Sequence, residues 1–145
     1  MKKLTTRLTI AAAALMIAAG AASAQTQTLT AEIPFAFHVG NRIMEPGIYR
    51  VDNLATQSGS PVFRLLEART HQVVIRIPQA AVDPEKTWTV TGSPKLAFAC
   101  GDGRCDLAKV WAGSGSNAYT FRLPKPGKDY EASLTVIPMT RDKSE

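Results

Sequence analysis

Residues 95–111 read KLAFACGDGRCDLAKVW. Apolar side chains recur at every second position from Leu96 to Cys100, which is the period of a β-strand with one buried face. Asp102-Gly103 follows, and this dipeptide is a strong signal for a two-residue hairpin turn. A second strand is predicted over residues 105–111. The segment therefore predicts two antiparallel strands joined by a tight turn.

The predicted turn also places the two cysteines. With Asp102 and Gly103 in the turn, Cys100 and Cys105 form the second cross-strand pair, which is a non-hydrogen-bonded one. Cα atoms in such pairs lie about 4.5 Å apart, a distance that a disulfide tolerates. We expect a disulfide that staples the hairpin, because two cysteines in an exported chain commonly pair. Free thiols and a metal-binding pair are the alternatives.

About eight short strands separated by turn signals are predicted along the chain. One of them contains Pro34, which cannot donate to a ladder, so we expect this strand to lie at a sheet edge or to be irregular there. Residues 62–66 and 72–77 are predicted to form a hairpin. The regular spacing of strands is typical of an all-β fold, an antiparallel β-sandwich or small barrel. We expect one domain over residues 25–140 and a flexible tail over residues 141–145.

The first 24 residues have the pattern of a signal peptide. Three basic residues precede an apolar run from Leu8 to Ala19, and Ala22-Ser23-Ala24 is a small-residue cleavage site. The apolar run is shorter than the roughly 20 residues that a spanning helix needs. We expect cleavage after Ala24, no membrane span afterwards, and a periplasmic or extracellular location. Retention of the leader as an anchor is the alternative.

Cleavage lowers the net charge of the chain. The full chain carries a formal charge of +5, and the leader contains three basic and no acidic residues, which leaves +2. No basic run or aromatic-basic patch remains, so we expect no nucleic-acid partner.

Trp88 and Trp111 are the candidate ligand-binding residues. Trp88 alternates with threonines over residues 87–91, a composition that favours a β-strand, and Trp111 shares a strand face with Leu107. This alternation favours burial in the core. Exposed rings would instead indicate a small-molecule or glycan binder. Lys109, which shares the alternation of Trp111, weakens the assignment of that ring to the core.

Motifs for catalysis and for metal binding are absent from the sequence. It has no G-x-S-x-G elbow, no H-E-x-x-H motif and no P-loop. A zinc site needs about four ligands, and the chain has two histidines, His38 and His71. A cryptic hydrolase would have to use one of them. We expect no metal, no cofactor and no enzymatic activity.

Residues 33–51 resemble a known family. Residues 33–40 read IPFAFHVG, and residues 46–51 read PGIYRV. This resembles the pattern IPF-x-F-x-V-G followed by P-x-G-x-Y-x-V in small exported proteins common in Acidobacteria, although Pro46 and Gly47 are adjacent here. The resemblance implies export and an all-β fold, and it supplies no catalytic residue.

These observations favour an exported, non-enzymatic envelope protein with a structural or protein-binding role. A sheet edge such as the Pro34 strand would pair with an envelope protein by strand addition. A binder that uses Trp88 or Trp111 and a hydrolase that uses His38 or His71 are the alternative functions.

Overall fold

A computed structural model of the chain describes residues 28–55, 59–125 and 132–142. The predicted signal peptide and its cleavage site lie outside these residues. Within them the chain forms eleven strands and one short helix: β1 (Thr28–Ile33), β2 (Phe37–Val39), β3 (Arg42–Met44), β4 (Gly47–Ala55), β5 (Pro61–Glu67), β6 (Val73–Arg76), β7 (Ala80–Val82), α1 (Lys86–Thr91), β8 (Lys95–Gly101), β9 (Arg104–Trp111), β10 (Ala118–Thr120) and β11 (Ser133–Arg141).

The strands form one strongly curved sheet, and the all-β prediction is confirmed. The sheet runs in the order β3-β2-β9-β8-β11-β1-β4-β5-β6, and β10 lies beside both β9 and β7. All pairs are antiparallel except β2 with β9. The chain passes from β6 directly into β7, which pairs with β10, so the last strand of the path returns to the neighbourhood of β9. The result is a nearly closed barrel with more strands than the eight expected.

Pro34 interrupts the first predicted strand. The chain leaves the ladder over residues 34–36, which separates β1 from β2. The expected irregularity is therefore present, but the prediction that this strand lies at a sheet edge was wrong. β1 pairs on both sides, with β11 and β4, and β2 lies between β3 and β9. Because Pro34 lies between two ladders, its missing N–H removes no sheet hydrogen bond.

The interior is filled by alternate residues from the strands. Phe37 lies at its centre, with its ring centroid 5.1 Å from that of Tyr49 and 5.2 Å from that of Phe98, both in edge-on geometry. Phe63 forms a second aromatic group with Tyr119 and Phe121 towards one end. Rings in these arrangements attract each other beyond their hydrophobic burial.

The prediction of a strand around Trp88 was wrong. Residues 86–91 form α1, which ends where Gly92 adopts φ 67° and its N–H donates to the carbonyl of Trp88. Trp88 packs with Trp111 on the outside of the sheet. Burial of the large ring outweighs the weak β-propensity of the threonines, because propensity yields to tertiary packing. Gly92 was the available sequence signal for the helix end.

The last strand extends into the predicted tail. β11 continues through Arg141, which pairs with Leu29 of β1. The next residue, Asp142, donates its N–H to the carbonyl of Thr28 and accepts a hydrogen bond from Thr30. Residues 141 and 142 therefore belong to the sheet, and the predicted start of the tail at residue 141 was too early. Residues 143–145 lie outside the described part of the chain.

Glu67 caps the turn between β5 and β6. Its carboxylate accepts hydrogen bonds from the hydroxyl and the N–H of Thr70 and from the N–H of Arg69. The hydrogen bond from the Thr70 hydroxyl is the main cause that lowers the pKa of Glu67. Tyr49 lies opposite Glu67 across the ladder, and its hydroxyl donates to the carbonyl of Glu45. Burial, followed by the charge of Glu67, raises the pKa of Tyr49 to about 12.

We expect the substitution Glu67→Gln to remove a pH-dependent part of the stability. Because the folded pKa of Glu67 lies below its ordinary value of 4.5, its ionised form stabilises the fold fully above that pH and loses this contribution as the pH falls through the folded pKa. We expect urea unfolding at several pH values between acidic and neutral to show a difference in the free energy of unfolding between wild type and variant, and this difference should become smaller as the pH falls. Glu32 is exposed, so Glu32→Gln is the matched control, and we expect its free energy of unfolding to equal that of wild type. If the difference in unfolding free energy between wild type and Glu67→Gln were independent of pH, the ionised Glu67 carboxylate would not have the stabilising role assigned to it.

Candidate functional site

The Cys100–Cys105 hairpin has the predicted geometry. Cys100 lies opposite Cys105 in the ladder of β8 and β9, with the Cα atoms 4.0 Å apart and the sulfur atoms bonded. Asp102 and Gly103 form the turn with φ 51° and 73°, the left-handed values that a two-residue hairpin of this kind requires. Both cysteines pack against the interior cluster. The site is a structural staple at one end of the barrel.

The two tryptophans form a small second core. Trp88 is 3% exposed and Trp111 is 1% exposed, with ring centroids 6.1 Å apart, and the indole N–H of Trp111 donates to the carbonyl of Ser116. Both rings are buried, as the sequence favoured, but the prediction that Trp111 shares a face with Leu107 was wrong. Leu107 lies in the interior cluster and Trp111 in the second core, because the register shift between Ala97 and Phe98 reverses the alternation of β9. Neither ring offers an open face to a sugar or a small molecule, so the binder alternative has no exposed tryptophan to use.

The contacts of Lys109 show how a charged residue can share a strand face with the buried Trp111. Its ammonium group lies 6.0 Å from the centre of the Trp88 ring and 3.3 Å from a carboxylate oxygen of Glu85. The stem of the lysine covers apolar surface while the charged end reaches the outside. Lys109 thus closes the edge of the tryptophan pair, and the alternation that first counted against core placement is consistent with it.

The two histidines lie on different elements. His38 of β2 is paired with Asp106 of β9, but the carboxylate of Asp106 is held by the guanidinium of Arg104, with its closest contact at 2.9 Å. The Nδ1 atom of His38 is buried and has no hydrogen-bond partner among the residues that the structure describes. His71 is exposed and lies in the turn after β5 with φ 60°. Neither histidine is shown with a carboxylate hydrogen-bonded to its ring, and the hydrolase alternative gains no geometric support from the described residues.

An exposed aliphatic row follows β6. Val73, Ile75 and Ile77, here called the β6 strip, are 36%, 57% and 70% exposed, whereas Val74 between them is buried. Alternation predicts that the three share one face, and the structure turns this face outward. Contiguous exposed apolar surface on a soluble protein commonly marks an interaction site. The alternation of the three residues could be seen in the sequence. The sequence did not show which face of the strand would be buried.

The residue opposite Ile75 in the ladder is an arginine that forms an ion pair. Arg64 lies opposite Ile75, and its guanidinium contacts the buried carboxylate of Asp52 on β4 at 2.5 Å. Thr28 donates a further hydrogen bond to the same carboxylate. The arginine opposite Ile75 is therefore held in an ion pair.

The backbone edge of β6 is already partly used. The guanidinium of Arg42 on β3 donates to the carbonyl of Val73 at 2.8 Å. A strand added at this edge would have to displace that contact. Contact through the side chains of the β6 strip would leave it in place.

Comparisons of the chain with family models, with curated proteins and with solved structures found no match. In the described residues, three or more histidine, cysteine, aspartate or glutamate side chains never gather in a way that could hold a metal ion. None of the helices in this part of the chain has the length and the apolar character needed to cross a membrane. Among the described residues, the β6 strip brings together three of the exposed large hydrophobic side chains.

We expect loss of the disulfide to lower the free energy of unfolding by about 2 kcal/mol, since the loop that it closes is short. Urea unfolding of the Cys100→Ala, Cys105→Ala double variant against oxidised wild type measures this. Wild type treated with a reductant is the matched control and should unfold like the double variant. Equal stability of oxidised and reduced wild type would contradict the staple role.

We expect Trp88→Ala to cost about 3–5 kcal/mol, the usual range for truncation of a buried aromatic side chain. The second core would lose one of its two rings, and the fluorescence maximum of Trp111 should move to longer wavelength as water reaches it. Val90 lies on the same helix and is 85% exposed, so Val90→Ala should change stability by less than about 0.5 kcal/mol. Similar losses for both variants would show that helix propensity, not ring burial, holds α1 in place.

Proposed function

We propose that the protein is an exported, non-enzymatic component of the cell envelope that assembles with a second copy of itself through the β6 strip. Export is supported by the signal-peptide pattern of residues 1–24 and by the Cys100–Cys105 disulfide, since disulfides persist in oxidising compartments. The resemblance of residues 33–51 to small exported proteins agrees with it. The role is structural, and periplasm and external medium are both compatible with it.

The observation that carries the proposal is the outward exposure of the β6 strip. Ile75 is 57% exposed on β6, the strand that ends the sheet path, and Ile77, just after that strand, is 70% exposed. Burial of aliphatic surface contributes about 25 cal/mol per Å² removed from water. An exposed aliphatic row on a terminal strand is therefore a favourable contact surface.

A second copy fits this surface because the strip is uncharged and complementary to itself. A two-fold axis places the same patch of both subunits in contact, so aliphatic side chains would meet aliphatic side chains. The arginine beside Ile75 is paired with Asp52, and the predicted mature chain carries only +2, so two copies approach with little like-charge repulsion. A strongly charged partner would find no complementary charge at the strip.

The contact we propose is between side chains and not an extended ladder. The Val73 carbonyl at the β6 edge accepts the hydrogen bond from Arg42, which occupies the position that an added strand would need. This replaces strand addition at the Pro34 strand, since that part of the chain is paired on both sides.

Sedimentation velocity of the mature chain tests the proposal. We expect a concentration-dependent dimer for wild type and a dimer Kd raised at least about tenfold by Ile75→Lys, because a charge would then be buried at the centre of the contact. Val90→Lys is the matched control, since Val90 is an exposed aliphatic residue on α1, away from β6, and should leave the dimer unchanged. A monomeric wild type at all concentrations, or equal effects of both lysines, would overturn the proposal.

A further inference from the structure

The barrel wall has a gap between β6 and the hairpin of β2 and β3. The sheet path ends at β3 on one side and at β6 on the other. Side chains reach across between the two ends: Arg42 donates a hydrogen bond to the carbonyl of Val73, and the guanidinium of Arg76 lies in the space that a Cβ atom on Gly40 would need. We call this region the arginine gap and define it by Gly40, Arg42, Val73 and Arg76.

The ladder register places both arginines on the inner side of the wall. Arg42 lies opposite the buried Val39, and Arg76 lies opposite the buried Phe63. Side chains of directly paired residues project to the same face of a sheet. The two guanidinium groups therefore approach the gap from its two edges on the same side of the sheet.

Gly40 leaves room for one of these groups. It has φ 60°, and a Cβ atom there would lie 3.0 Å from Nη1 and 3.2 Å from Cζ of Arg76. Any larger residue would push the guanidinium away from the hairpin. The glycine thus allows a planar cation to lie directly against the backbone of the turn.

The cations of the arginine gap have few partners. Arg42 donates to the carbonyl of Val73, and Arg76 donates to the carbonyl of Arg122 at the long distance of 3.5 Å. The ion pairs among the described residues are made by other arginines and a lysine. A guanidinium has five N–H donors in a fixed fork, so most donors of both groups are left for a ligand or for water.

The geometry points to a binding site for a phosphate-class oxyanion in the arginine gap. Guanidinium groups bind phosphate in a bidentate manner, with charge-assisted hydrogen bonds stronger than those to neutral acceptors. Arg76 is half-buried, and charge that is partly withdrawn from water gains more from a counter-ion than fully solvated charge. Two cations that have no carboxylate partner among the described residues suit a doubly charged anion, either as a free phosphate ester or as a lipid headgroup. This inference does not depend on assembly through the β6 strip.

Isothermal titration of the mature chain with inorganic phosphate tests the site, with ionic strength held constant by sodium chloride. We expect saturable binding with one phosphate per chain. Arg76→Gln and Arg42→Gln should each weaken it at least about tenfold, which corresponds to the loss of a charge-assisted bidentate contact. Arg50→Gln is the matched control, because Arg50 is an exposed arginine on the outer face of β4 and should leave the Kd unchanged. Absence of saturable binding, or equal weakening by Arg50→Gln, would overturn the inference.

Two further variants keep the test decisive if Arg76→Gln fails to fold, as judged by near-ultraviolet circular dichroism. Arg42 is exposed, so Arg42→Gln tests the site without disturbing the interior. Gly40→Ala keeps both charges but displaces the Arg76 guanidinium, and we expect weaker binding. An unchanged Kd in both of these variants would also overturn the inference.

Vesicle binding then separates the two sources of the phosphate group. Vesicles of phosphatidylcholine with phosphatidic acid present a phosphate monoester on a surface, and pure phosphatidylcholine vesicles are the control. Binding to the first that requires Arg42 and Arg76 assigns the site to a lipid headgroup. Phosphate binding in solution without vesicle binding assigns it to a soluble phosphate ester.

Discussion

The register between β8 and β9 controls both packed layers of the protein. Phe98 and Leu107 pair on the inner face, while Ala97 and Trp111 lie in the cluster outside the sheet. Because side chains alternate along a strand on either side of an irregularity, a slip of one residue would exchange these two sets. The Asp102-Gly103 turn fixes the pairing at one end, and the disulfide holds it there. A register shift between Ala97 and Phe98 then adjusts the far end of the pair, next to Trp111.

Closure of the barrel depends on side chains as well as on hydrogen-bonded strands. The ladders are continuous from β3 to β6, and the remaining opening is spanned by arginines. A sheet edge left open exposes unpaired backbone groups that invite aggregation. At the edge of β6 the carbonyl of Val73 is satisfied by Arg42, which makes addition of a foreign strand less favourable. The same arrangement leaves the two arginines of the gap without a carboxylate partner among the described residues, which is the basis for the oxyanion site proposed there.

The features that the sequence predicted well are those decided by neighbouring residues. The hairpin at Asp102-Gly103 and its disulfide follow from turn chemistry and strand period alone. The helix around Trp88 could not be predicted, because its stability comes from contact with Trp111, more than twenty residues away. The same is true of the buried carboxylate of Asp52, whose partner Arg64 becomes a neighbour only through the pairing of β4 with β5. The arginine gap joins β3 and β6, which are distant in sequence, so only the complete sheet path reveals it.

Strand β6 contributes to both proposed contacts, and its alternation keeps them separate. Val73 and Ile75 project outward, whereas Val74 and Arg76 project towards the interior. A partner that covers the outer face of the strip therefore need not cover the guanidinium of Arg76. Coupling between the sites would have to pass through the backbone of β6, where Arg42 contacts Val73 directly. An anion that draws the guanidinium of Arg42 away would free the Val73 carbonyl, and the edge of β6 would then become able to accept a strand.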